Sequence, residues 1–116
     1  METNIPISKE EGNTQERSPI RYTINQIGGN WKSIILWSIK FKLNRFSLLL
    51  KELPISRKML SKELKDLERN GIIKRTSYPE VPPRVEYSLT EKGKSLSPLL
   101  GLMNIWGEQN MNGETN

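Results

Sequence analysis

Neither cysteine nor histidine occurs anywhere in the 116 residues. Disulfide frameworks, cysteine-bearing zinc sites, thiol nucleophiles and histidine-based acid–base chemistry therefore lack their atoms. Long apolar runs are missing as well: the longest in the middle of the chain, Ile34 to Trp37, falls far short of the roughly 20 residues that a membrane-crossing helix needs. Met1 to Arg17 is polar and acidic, without the charged-then-apolar layout of an export signal. The expectation is a soluble, cytoplasmic chain with no membrane partner. Paired acids are equally scarce. Glu80 and Glu86 flank a hairpin without a pocket signature and make a weak case for glycosidase-type catalysis, and Gly28-Gly29 lacks the following Gly-Lys-Ser/Thr of a phosphate loop. No enzyme, metal site or cofactor is expected.

What is present is positive charge, unevenly placed. Eighteen Lys/Arg against thirteen Asp/Glu give +5 at 13.4 kDa, a size for one domain with one modest core. Met1 to Arg17 carries −2 and Gly101 to Asn116 another −2, so Ser18 to Leu100 carries +9. A basic centre between acidic ends suits a polyanion, duplex nucleic acid first and an anionic membrane surface second. A basic protein kept soluble by its charge is the plain alternative.

Apolar periodicity orders the chain. Residues 1–17 hold only Ile5 and Ile7 as sizeable apolars and read as a disordered acidic arm; residues 110–116 read as a frayed tail. Ile20, Ile24 and Ile27 stand at helical spacing and stop at Gly28-Gly29. A second helix, from Asn30 or Trp31 to about Phe41, is apolar nearly all round and is expected in the centre of the domain. Phe46, Leu49, Leu50 and Leu53 mark a third, ended by Pro54. Ser56 caps a fourth, with Leu60, Leu64 and Leu67 as its stripe and Asn70-Gly71 as its stop. Ile72–Ser77 and Arg84–Leu89 form a hairpin around a proline-rich tip that cannot continue a ladder. Thr90-Glu91-Lys92-Gly93 opens a last helix whose apolar residues, Leu96, Leu99, Leu100, Met103 and Trp106 or Ile105, are more than a small domain can cover. Pro98 and Gly101 leave its straightness open.

Three helices, the last two joined by a tight turn, followed by a two-stranded ribbon describe a mainly α winged helix-turn-helix over residues 18–109. In that geometry the fourth helix packs one face on the core and offers the other to the major groove. Leu60, Leu64 and Leu67 take the inner face, while Arg57, Lys58, Ser61, Lys62 and Lys65 fall on the outer one. No acid lies between Ser56 and Lys62. Arg57 and Lys58 offer donors to guanine edges, Ser56 and Ser61 suit short contacts to a base or phosphate, and the helix N-terminus adds anion affinity. Arg84, beside the proline tip, falls near the minor groove or a flanking phosphate, and Arg45 and Lys32 near phosphates. Each of these has a bland counterpart, a charge that simply faces water. Trp31, Trp37 and Trp106 read as core or interface before they read as a ligand cavity.

The strings Ile27-Gly28-Gly29-Asn30-Trp31-Lys32, Arg45-Phe46, Leu53-Pro54-Ile55-Ser56-Arg57-Lys58-Met59-Leu60-Ser61, Leu64 to Arg75 and, most specifically, Tyr78 to Gly93 resemble the HxlR-type winged helix-turn-helix transcriptional regulators, relatives of the MarR group. The likeness runs from about Ser18 to Gln109. It implies a homodimer on a pseudo-palindromic operator, joined through its first and last helices. Ile20, Ile24, Leu96, Leu99, Leu100, Met103 and Trp106 are the candidate interface. A small-molecule effector of unspecified chemistry has room between the wing helices and that interface, beside Trp31 or Trp106.

Three departures stand out. Ser18 replaces a cysteine common before the proline, so thiol sensing is excluded. Pro54 meets Ile55 without the usual intervening glycine, which bears on the tilt of the fourth helix. Leu48 is apolar where a polar residue is usual, which predicts a stickier third helix. The alternative to a DNA-binding regulator is a winged-helix interaction module that docks a protein by its last helix or the Leu48 surface, without specific DNA binding.

Overall fold

The computed structural model describes residues 18–111 and 113; the expected arm over 1–17 and most of the expected tail lie outside them. Ser18 accepts a hydrogen bond from the Arg21 N–H at 3.3 Å and, with Pro19 behind it, starts α1, Pro19–Ile27. The helix buries Ile27 alone and leaves Ile20 72% exposed. Helix α2, Lys32–Lys40, follows; the Ser33 hydroxyl donates to the Ile27 carbonyl at 2.6 Å and ties the two helices together. Ile35, Leu36 and Ile39 of α2 are buried, as a central helix requires. Ile34 and the following Phe41, however, face outward, so the helix is sunk on one side only.

Helix α3, Phe46–Glu52, ends where Pro54 forbids another turn, and α4, Arg57–Arg69, is capped by Ser56, whose hydroxyl accepts from the Met59 N–H at 3.1 Å. Leu60, Leu64 and Leu67 are all buried, with Leu49 of α3 opposite in the same core. Helix α4 stops at Gly71, which adopts φ +74°, a left-handed conformation that strains any residue with a Cβ. Ile72 and Ile73 then carry the core into the ribbon.

Strand β1, Ile73–Tyr78, pairs antiparallel with β2, Arg84–Leu89, in the register Ile73 opposite Leu89 and Tyr78 opposite Arg84. The first strand is displaced by one residue from the expected Ile72–Ser77, because Ile72 is spent on closing α4 with an N–H to the Leu67 carbonyl at 2.9 Å. The ribbon is fixed at its base from two sides. Tyr87 donates its N–H to the Asn44 carbonyl at 2.8 Å, and the Thr90 hydroxyl donates to the Gly71 carbonyl at 2.6 Å.

The expected single last helix is two. Helix α5, Glu91–Lys94, is one turn capped by Thr90, and α6, Ser97–Met111, begins after Ser95 and Leu96. A helix running on from Glu91 would put the Pro98 ring against the Lys94 carbonyl and leave that carbonyl without a donor; restarting at Ser97 places Pro98 in a first turn, where no donor is needed. Gly101 lies inside α6 without interrupting it. The helix also takes in Asn110 and Met111, which were expected to fray, and the Asn110 amide donates to the Trp106 carbonyl at 2.8 Å. No helix among the described residues is long and apolar enough to cross a membrane.

Candidate nucleic-acid interface

Helix α4 presents its charge as a stripe. Lys58, Lys62 and Lys65, at i, i+4 and i+7, are exposed on the side away from the leucines, with Ser61 half-buried between them. Lys58 and Lys65 make no ion pair among the described residues, whereas Lys62 sits 3.1 Å from Asp66. That hydrogen bond and the Asp66 charge raise the Lys62 pKa, and the same bond, with Lys32 nearby, holds the Asp66 carboxyl below the usual range although burial opposes it. Ser56 is committed to its capping bond, and its exposed position leaves the rest of the hydroxyl to solvent. Arg57 leaves the helix stripe and leans over the Phe46 ring, its guanidinium carbon 5.6 Å from the centroid. This contact holds the first basic side chain of α4 against the start of α3.

From Phe46 the basic edge continues into the ribbon. Arg45 lies 3.5 Å from Glu86, on β2. Glu86 also binds Arg84, two residues earlier on the same face of the strand. Arg84 in turn stacks on Tyr78, its cross-strand partner, with the guanidinium carbon 3.9 Å from the ring centroid, and its Nε and Nη2 grip the Glu80 carboxylate at 3.2 and 2.8 Å. The hydrogen bonds that Arg84 donates to Glu80 and Glu86 raise its own pKa, and Arg84 holds the Glu80 carboxyl below its ordinary value. Between this wing tip and Arg45-Phe46-Ser47 lies an open cleft of about 550 Å³. Glu80 and Glu86, a weak case for catalytic acids in the sequence, are the partners of the wing arginine. The alternation Glu80, Arg84, Glu86 at four and two residues is a signal the sequence carried for it.

Lys32 does not join the edge. Its ammonium is 2.6 Å from Glu63 and 3.5 Å from Asp66, with side chains only 14% and 11% exposed for Lys32 and Glu63. The expected phosphate contact is thus an internal ion pair between α2 and α4, and Glu63 is a structural residue that the leucine stripe concealed. The interface candidates also divide. Leu100 is 3% exposed and belongs to the core of the chain, and Leu96 is half-buried against it. Leu99, Met103, Ile20 and Ile24 stay open, as does Trp106 at 67%. Trp31 packs against the core, and Trp37 lines a cleft of about 240 Å³ shared by Ile34, Leu100 and Met103. Leu48 is half-buried rather than a sticky surface. Among the described residues no cluster of acids could hold a metal ion.

Comparison with known proteins agrees with this geometry. An uncharacterized HTH-type transcriptional regulator of Methanothermobacter thermautotrophicus is 45% identical over 98 residues, covering 84% of this chain and 75% of its own length. The HTH-type regulator YdeP of Bacillus subtilis, likewise uncharacterized, is 44% identical over 95 residues, covering 81% and 74%. Among solved structures, the redox regulator HypR in its oxidized form superposes with a TM-score of 0.75 at 41% identity, covering 79% of this chain and 96% of that one. A chain assigned to the MarR family of regulators from Porphyromonas gingivalis W83 gives 0.70 at 38%, covering 90% and 98%. The HxlR-like helix-turn-helix model matches residues 26–115. The basic stripe of α4, an arginine-bearing ribbon and these relatives converge: the chain belongs to the HxlR-like helix-turn-helix family of DNA-binding transcriptional regulators and is not an enzyme.

Proposed function

We propose that two copies of the chain bind a pseudo-palindromic DNA operator, each inserting α4 into a major groove and setting its wing against the flanking backbone or minor groove. One observation supports this above the others: Arg57 leans over Phe46, and Arg45, the residue before Phe46 in the chain, shares Glu86 with Arg84 of the wing. Reading helix and wing are thereby held in a fixed relation, as two-point recognition of a duplex requires. Lys58, Ser61, Lys62 and Lys65 are the remaining contacts to bases or phosphates.

The second copy is supported by the apolar residues that α1 and α6 leave open: Ile20, Ile24, Leu99, Met103 and Trp106 remain exposed among the described residues. Such a row is the usual mark of an association surface. Twofold-related reading helices would address half-sites about 34 Å apart. An effector, should the protein respond to one, has the Trp37 cleft at the inner edge of that surface.

Selection of bound sequences from a random duplex pool at near-physiological salt tests the whole reading. An enriched inverted repeat is the expected result, with log K falling at a slope of about −0.9 per phosphate neutralised. Retention of no duplex, or affinity indifferent to salt, would reject the operator and return the chain to the interaction-module alternative.

A further inference from the structure

Glu80 and Glu86 both touch Arg84, but from different sides and in different company. Glu86 is 23% exposed, shares its carboxylate between Arg84 and Arg45, and stands on a strand whose neighbouring residue, Tyr87, is pinned to Asn44. Glu80 is 50% exposed and stands in the loop over 79–83, and its carboxylate bonds to nothing but Arg84 among the described residues. It occupies Nε and Nη2 together, the fork with which an arginine grips a carboxylate or phosphate. The inner nitrogen, Nη1, goes to Glu86.

We propose that Glu80 is a built-in stand-in for DNA phosphate on the wing, and that Glu86 is the positioning residue which aims Arg84 and Arg45 at the duplex. In the free protein the Glu80 carboxylate fills the outward fork of Arg84. On binding, a phosphate oxygen pair replaces it, while Glu86 and the Tyr78 ring keep the guanidinium in place. A correctly spaced phosphate repays the exchange, and a wing that meets none keeps its own carboxylate. The wing arginine is then a contact made only where the backbone path suits it, rather than a general anchor for any polyanion. The inference rests on the DNA-binding reading above and adds to it a competitor and an aiming residue.

The two acids make the proposal sharp. Simple charge repulsion treats them alike: Glu80→Gln and Glu86→Gln each remove one negative charge beside a polyanion and should tighten binding equally. A stand-in and a positioning residue require opposite signs. The probe is the duplex enriched by the wild-type chain, with a random duplex of the same length alongside, titrated by fluorescence anisotropy at several salt concentrations. Glu80→Gln is expected to raise affinity about threefold, the scale of one exposed ion pair, and to raise it proportionally more for the random duplex. Glu86→Gln is expected to lower operator affinity about tenfold, one charge-assisted bond misplaced. In an Arg84→Ala background the Glu80→Gln gain must disappear, because a stand-in has nothing left to occupy. This arm stands whether or not Glu86→Gln folds.

Equal gains from both variants, or a Glu80→Gln gain that survives Arg84→Ala, would overturn the proposal while leaving DNA binding intact. Failure of the wild-type chain to enrich or bind any duplex would overturn the DNA-binding reading itself, a distinct outcome.

Discussion

Single side chains in this protein divide by what already holds them. Lys32 and Lys58 look alike in sequence, yet one is enclosed with Glu63 and the other stands in water. Lys32→Met should therefore cost stability, about 3 kcal/mol for stranding a mostly buried carboxylate, and leave the salt slope of DNA binding unchanged; urea unfolding and anisotropy read the two separately. Arg57→Ala should do the reverse, keeping the fold and narrowing the preference for operator over random duplex by about 1–3 kcal/mol, the value of one good base contact. Asp66 gives a pH signature. Its folded pKa is depressed, chiefly by the Lys62 hydrogen bond, so its contribution is present above the unfolded value near ~3.9 and is lost as pH falls through that value toward the folded one. Asp66→Asn should lower stability at neutral pH and flatten its decline below about pH 4, measured as urea midpoints from neutral to strongly acid pH. The ion pair of Lys32 was invisible in the sequence because 31 residues separate the partners, and only the crossing of α2 over α4 joins them.

Elements were more legible than side chains. The first four helices and the second strand fall where capping, periodicity and stop residues place them, because those signals are local: Ser18 before Pro19, Ser56 before Arg57, Gly28 and Gly71 at the ends. The last helix departs from its expected single span for a reason equally local, since Pro98 stands in the first turn of a new helix. Tertiary contact decided Gly93. A Cβ there would run into the Ile72 carbonyl at the foot of the wing, so Gly93→Ala should displace backbone rather than a side chain. The expected cost is about 1–3 kcal/mol, seen as a melting temperature lowered by roughly 4–8 °C per kcal/mol.

At the scale of the molecule, the surplus apolar surface on α1 and α6 is the property with the largest consequence. Replacing both Met103 and Trp106 by Glu should give a species that sediments at one subunit mass and loses operator affinity steeply, since each half-site would then be bound alone; a wild-type mass of one subunit at micromolar concentration would refute the dimer. Leu100→Ala, by contrast, should cost about 2–5 kcal/mol of fold stability without being an interface change, because that side chain is already enclosed. Composition and periodicity by themselves determined the class of this protein: neither cysteine nor histidine, a basic middle, a helix split into leucines and lysines, and a proline-tipped ribbon, the last three set by residues near one another in the chain. Only the tertiary structure decided which charges remain available. Whether a lysine or arginine meets a carboxylate of its own protein depends on contacts between distant segments, and at short range those contacts outweigh any pattern of spacing. Lys32 was withdrawn from the surface in this way, Arg45 and Arg84 were joined through Glu86, and Leu100 passed from the interface to the core.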